Sequence, residues 1–266
     1  MISLEVLSLV GFLLSATLLG YSAYSDLKTR EVANLVWAIY LPSASAILGL
    51  KLYLYPQLLT MSLTSIVVMT GLSLLMFYLG LFGGADLKAF VCLSVALPMY
   101  PLHLESMLPS MNPIFALTVF YNAYFFSIIT VIYAIVKNVD WKYRQRRKLF
   151  EGLEETSFFR RVMALLTGYK TNFETLKEKV YLYPMEEVSS HNGGSCRRLK
   201  LFTHAETDRD KLVKNLGESL KAYDRDAVWV TPGIPLLVFV WVALITNAFL
   251  GDVLMWTVFQ LLFRIS

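Results

Sequence analysis

Long apolar runs separated by short polar breaks fill the first half of the chain, a polar stretch follows, and one more apolar run closes it. A helix needs roughly 20 apolar residues to cross about 30 Å of hydrocarbon. Run length, together with Pro/Gly and polar breaks, predicts membrane helices at Leu4–Ser25, Ala33–Leu50, Leu58–Phe82, Leu87–Met99, Pro113–Val136 and Ile234–Leu250. The fourth is short for a crossing, and the last continues past Gly251 toward Phe263. No basic segment precedes the first run and no small-residue cleavage pattern follows it, so it is expected to stay as an anchor.

The positive charges set the expected orientation. Lys28 and Arg30 join the first two helices, Lys88 follows the third, and a basic block follows the fifth, all expected on the cytoplasmic side. The N-terminus, the Lys51–Gln57 and Tyr100–Asn112 links and the C-terminus hold few cations and are expected outside. From Asn138 to Val230 the polar stretch is too long for a plain connection. It carries strand-like segments at Lys179–Tyr183, Arg198–Phe202 and Ala227–Val230, basic helices within Trp141–Leu166, and a helix at Arg209–Ala222 opened by a capping box of Thr207 and Asp210. Asn192-Gly193-Gly194 reads as a turn. The expected fold is an α-helical polytopic membrane protein, six transmembrane helices with a small α+β cytoplasmic domain between helices five and six. Residues 1–137 form the membrane domain with helices one to five, 138–230 the soluble domain, and 231–266 the sixth helix and tail.

Composition agrees: 56% of the 266 residues are hydrophobic and the mean hydropathy is +0.54, more than a soluble core of this size needs. The net charge of +4 lies in the polar block, where acids accompany the bases, so no nucleic acid partner is expected. The Arg144–Lys148 cluster is better matched to anionic lipid headgroups. Two cysteines, Cys92 and Cys196, make neither a disulfide framework nor a CxxC metal site. His103, His191 and His204 have no metal-ligand spacing, and no GxSxG elbow is present, so no cofactor or metal is expected and serine chemistry lacks its base.

Acids at membrane depth are costly and mark function. Glu5, Asp26, Asp86 and Asp252 are the candidates, and the topology puts Glu5 and Asp252 near the outer face but Asp26 and Asp86 together at the inner one. Two carboxylates held close share a proton, the state in which one takes a proton from water while the other polarises a peptide carbonyl. Alone, Asp26 beside Lys28 and Arg30 suits a helix end at the headgroups, and Asp86 suits the N-cap of helix four. Gly83, Gly84 and Ala85 put no bulk before Asp86, which lets a backbone approach. Arg30 and Asn34 are spaced to share a helical face, Arg30 toward a carboxylate and Asn34 toward exposed backbone. Tyr121, Tyr124, Phe125 and Phe126 read as packing or interfacial anchors.

Gly83-Gly84-Ala85-Asp86-Leu87-Lys88 resembles the GxGD signature of membrane aspartyl proteases, in the form found in archaeal type IV prepilin-like peptidases, with alanine for the second glycine. Asp26, Arg30 and Asn34 are similar to the Asp…Arg…Asn pattern after that family's first helix. The helix order, with Thr231-Pro232-Gly233-Ile234-Pro235 entering the last one, resembles the archaeal preflagellin peptidases over nearly the whole chain. The resemblance implies an aspartic endopeptidase that cuts the short basic leader from preflagellin or pilin-like precursors, partners of the archaeal flagellum, at the cytoplasmic membrane edge. Asp26 and Asp86 inherit the catalytic roles, supported by Gly83, Gly84, Ala85, Lys88, Arg30 and Asn34. Glu154, Glu155, Glu186 and Glu187 are candidates for meeting the basic leader. The alternative is a small transporter whose aspartates carry protons or cations, although such acids usually sit near the midplane of repeated halves and no repeat occurs here.

Overall fold

The computed structural model describes residues 3–101, 107–108, 112–145, 149–151, 153, 157–179, 181–191, 194–199, 211–214, 216–217, 227–233 and 235–263. The chain divides into two compact units, residues 1–127 with 235–266, and residues 128–234.

The first unit is helical. α1 (Leu4–Thr29), α2 (Asn34–Leu54), α3 (Leu59–Tyr78) and α4 (Gly84–Ala96) follow one another, and a 3-10 turn at Pro56–Leu58 leads into α3. α5 (Phe115–Gln145) belongs to this unit through Ser127. α8 (Leu236–Phe249) and α9 (Val253–Phe263) close it.

Among the described residues four helices are long and apolar enough to cross a membrane, and a fifth crossing appears if the bent pair α8 and α9 counts as one. Length and composition thus support four or five of the expected six. α4 has 13 residues, about 20 Å of helix, which falls short of the hydrocarbon thickness. The last run breaks where Gly251 takes φ 95°, and α9 turns away from α8 by 70°. Lys51, expected in an outer link, lies inside α2 and is buried.

α4 is buried along most of its length, with Ala89, Phe90, Cys92, Leu93, Val95 and Ala96 all in the core. A helix this short owes more to packing against its neighbours than to contact with lipid. α1 and α8 approach closely at Gly20, where a Cβ would fall 2.8 Å from Trp241 Nε1. The Trp241 indole N–H donates to the Ala16 carbonyl at 2.9 Å. At the break before α9, Asp252 is fully buried. It accepts from Tyr121 Oη, from Asn122 Nδ2 at 3.3 Å and from the Met255 N–H at 3.1 Å. Tyr121 thus has a polar partner that the reading of it as a packing anchor did not include.

The second unit holds the distal part of α5, α6 (Phe158–Thr167), α7 (Phe173–Glu178) and five strands. β1 (Tyr169–Asn172), β5 (Ala227–Pro232) and β2 (Leu182–Pro184) form an antiparallel sheet with β5 in the centre. β3 (Glu186–His191) and β4 (Gly194–Leu199) pair separately, with His191 opposite Gly194. Trp229 organises the core: it is fully buried and stacks on Phe150 at 4.8 Å. Its backbone N–H donates to Glu186 Oε1 at 2.8 Å and its indole N–H to the Leu149 carbonyl at 3.1 Å.

Several sequence expectations shift here. The strand expected at Lys179–Tyr183 starts at Leu182, Arg198 and Leu199 of the one expected at Arg198–Phe202 lie in β4 while residues 200–202 lie outside the described residues, and β1 and β3 were not anticipated. Trp141 continues α5 instead of opening a new helix. Cys196 lies in β4, not in a loop. Residues 211–214 and 216–217 of the expected Arg209–Ala222 helix are helical. The Thr207/Asp210 capping box, Asn192-Gly193, His103, His204, Glu154, Glu155 and residues 146–148 lie outside the described residues.

Candidate active site

Asp26 occupies the last turn of α1, and the helix closes at Arg30, a C-cap in the left-handed region at φ 60° and ψ 16°. Thr29 Oγ1 bridges the turn, donating to the Glu31 carbonyl at 3.0 Å and accepting from the Glu31 N–H at 3.4 Å. α2 then starts at Asn34. Arg30 and Asn34 therefore do not share a helical face as expected, because the turn between them separates two helices.

Asp86 lies in the first turn of α4, whose N-cap is Gly83. It is not the N-cap itself, as the sequence suggested, but reaches back so that Oδ2 accepts from the Gly83 N–H at 3.0 Å. That bond satisfies one of the donors a helix start leaves open. Phe82 anchors the approach to the glycines. It is buried and stacks on Phe90 at 5.5 Å and on Tyr124 at 6.2 Å.

The glycines are explained by space and not by backbone strain. Gly83 has φ −78° and ψ 163°, which any residue adopts, and Gly84 is absent from the positive-φ positions. A Cβ on Gly83 would meet only Asp86 Oδ2, at 3.4 Å, and one on Gly84 would meet nothing within 4 Å. The surface beside Asp86 is thus open at Gly84, while Ala85 packs against the core.

Both acids are half-buried, and their carboxylates lie within electrostatic range of each other. The Arg30 guanidinium also acts electrostatically on Asp26. The Leu237 N–H in the first turn of α8 bonds the Asp26 carboxylate. That turn has no acid of its own and no side-chain cap at Pro235, so α1 supplies the anion that a helix N-terminus favours. The Tyr124 phenol is within range of Asp86. The Lys88 ammonium donates to Asn34 Oδ1 at 2.7 Å, so Asn34 bonds a side chain of the other motif and not exposed backbone.

Two groups beside the acids escaped the sequence reading. The sequence reads Tyr124 as a packing or interfacial anchor, and no sequence pattern marks a tyrosine within range of an acid on another helix. The Leu237 N–H carries no side-chain signal at all. Glu186, a candidate for the basic leader, is buried and already receives the Trp229 N–H at 2.8 Å, so it is not open to a basic peptide. Among the described residues no group of three or more His, Cys, Asp or Glu is arranged to hold a metal ion.

Two family models match the chain. One, described as the type IV leader peptidase family, covers residues 13–136 and so includes both acids. The other, described as archaeal peptidase A24 C-terminus type II, covers residues 160–253. A preflagellin peptidase of Methanococcus voltae is 29% identical over 244 residues, 87% of this chain and 91% of that protein. A preflagellin peptidase of Methanocaldococcus jannaschii is 26% identical over 255 residues, 92% of this chain and 95% of that protein. With helices long and apolar enough to cross a membrane and matches running through both of its units, the chain is similar over most of its length to peptidases of the type IV leader peptidase family.

Proposed function

We propose that the protein is a membrane aspartyl endopeptidase of the GxGD type that removes the short basic leader from preflagellin or type IV pilin-like precursors, with Asp26 and Asp86 as its catalytic pair. The observation that carries the reading is that the last turn of α1 and the first turn of α4 present these two carboxylates within electrostatic range of each other. The relatives' printed names supply the substrate class.

In this reading one carboxylate takes a proton from a water as the water oxygen attacks the peptide carbonyl carbon, and the other presents its proton to the carbonyl oxygen. The open face at Gly84 gives the substrate backbone room beside Asp86. The bonds from Gly83 and Leu237 hold the carboxylates in place between turnovers.

Residues 1–137 form the membrane domain and 138–230 a soluble cytoplasmic domain, and residues 231–266 return the chain to the membrane. The acids face the cytoplasm, where the basic leader of the precursor lies, and both termini lie outside, since Lys28, Arg30 and Lys88 cluster at the acidic end. The test is direct. Membranes containing the chain should convert a preflagellin to a product whose new N-terminus starts at the end of the basic leader; no conversion, or cleavage elsewhere, contradicts the reading.

A further inference from the structure

Arg30 is the only non-glycine residue with positive φ among the described residues. A helix usually ends in this conformation with glycine, because a Cβ there costs on the order of 1 kcal/mol. Such strain persists where a side chain is needed. The neighbouring Lys28 and Thr29 are exposed while Arg30 is half-buried, and its Nε is shielded from solvent. A cation at the end of α1 also suits the helix C-terminus, but an exposed lysine would serve that purpose and Lys28 already stands in the last turn.

The charged and polar groups around Asp26 can be enumerated by element. From its own chain end comes Arg30, from α4 comes Asp86, and from α8 comes the Leu237 N–H. The sole charged residue in α2 is Lys51, in its last turn, and α8 has none. Among the described residues the cation whose charge bears on Asp26 is Arg30, with Lys28 exposed in the same turn and Lys88 bonded to Asn34, whereas the charged neighbour bearing on Asp86 is an anion.

We infer that Arg30 is a positioning residue that makes the pair unequal, holding Asp26 as the ionised member that activates water and leaving Asp86 as the member that carries the shared proton. This rests on the reading of Asp26 and Asp86 as the catalytic pair. Asp26 takes one proton from water as the water oxygen bonds to the carbonyl carbon, and Asp86 gives its proton to the carbonyl oxygen. When the resulting diol collapses, the carbon–nitrogen bond breaks, Asp26 returns its proton to the leaving nitrogen, and a diol hydroxyl restores the proton of Asp86. The pair ends as it began.

The full-length protein in proteoliposomes tests this with Arg30→Gly, Arg30→Gln and Arg30→Lys, each followed by thermal unfolding and by kcat across pH. Arg30→Gly relieves the strained φ and should unfold at or above the wild-type temperature. Arg30→Gly and Arg30→Gln should both show the acid limb of kcat moved to higher pH by about one unit, since the favourable charge beside Asp26 is gone. Arg30→Lys should restore much of that limb. An unmoved acid limb in the Gly and Gln variants, whether or not their rates fall, overturns the inference. Asp26→Asn measured in parallel separates the two ideas: if it still cleaves, the catalytic pair itself is wrong, and if it is inactive while the limb stays put, only the role of Arg30 is.

Discussion

Lys88 Nζ and Asn34 Oδ1 are 2.7 Å apart although 54 residues separate them in the chain. The bond ties the start of α2, which follows the turn after Asp26, to α4, the helix that carries Asp86. Both side chains are exposed, which limits the worth of the bond to the fold. Replacing Asn34 by Ala and Lys88 by Met, singly and together, should give a coupling below about 1 kcal/mol in thermal unfolding. If the link positions the acids, the same cycle measured on cleavage should give a clear loss for each single change and little further loss for the double.

The space at Gly84 makes a prediction of the opposite kind. A Cβ there meets nothing within 4 Å, so Gly84→Val should leave thermal unfolding within about 1 kcal/mol of wild type, the helix-start position tolerating a side chain. If a substrate backbone uses that opening, cleavage should fall by about 100-fold, the scale of a displaced reacting geometry. Wild-type cleavage by Gly84→Val would mean that the glycine serves something other than access.

Glu186 should behave as a structural residue. Glu186→Ala removes the acceptor for the buried Trp229 N–H and should cost about 1–3 kcal/mol in thermal unfolding. The KM of the folded fraction for a precursor with a basic leader should not change. A rise in KM without loss of stability would return Glu186 to the substrate.

Asp252 should hold the broken end of the fold and play no part in cleavage. Asp252→Ala strands donors on Tyr121, Asn122 and Met255 and should destabilise the protein by on the order of 3 kcal/mol. The folded fraction should keep wild-type kcat, because none of these groups serves the pair at Asp26 and Asp86. Proton or cation flux through wild-type proteoliposomes, lost on replacing Asp26 or Asp86, would support the transporter alternative instead.

The sequence revealed the helices of the first unit because lipid-facing segments need long apolar runs, and α1, α2, α3 and α5 show them. It marked α4 as short for a crossing but not as buried, since a short helix buried by its neighbours has the same composition as one that faces lipid. The broken final run was seen as a continuation past Gly251, but a 70° bend depends on the buried partners of Asp252, contributed by α5 more than a hundred residues earlier. Asp26 and Asp86 stood out because an acid ending or opening an apolar run is rare. The left-handed Arg30 and the Leu237 N–H were hidden, because no residue type announces a backbone conformation or a donor aimed from another helix.

The account turns on Asp26 and Asp86 acting as a pair. Cleavage of a preflagellin by membranes carrying wild type, Asp26→Asn or Asp86→Asn, at matched levels of inserted protein, tests it most directly. Asparagine keeps an acceptor for the Leu237 and Gly83 N–H groups, so both variants should remain folded while neither yields processed product. Full processing by either variant would contradict the account.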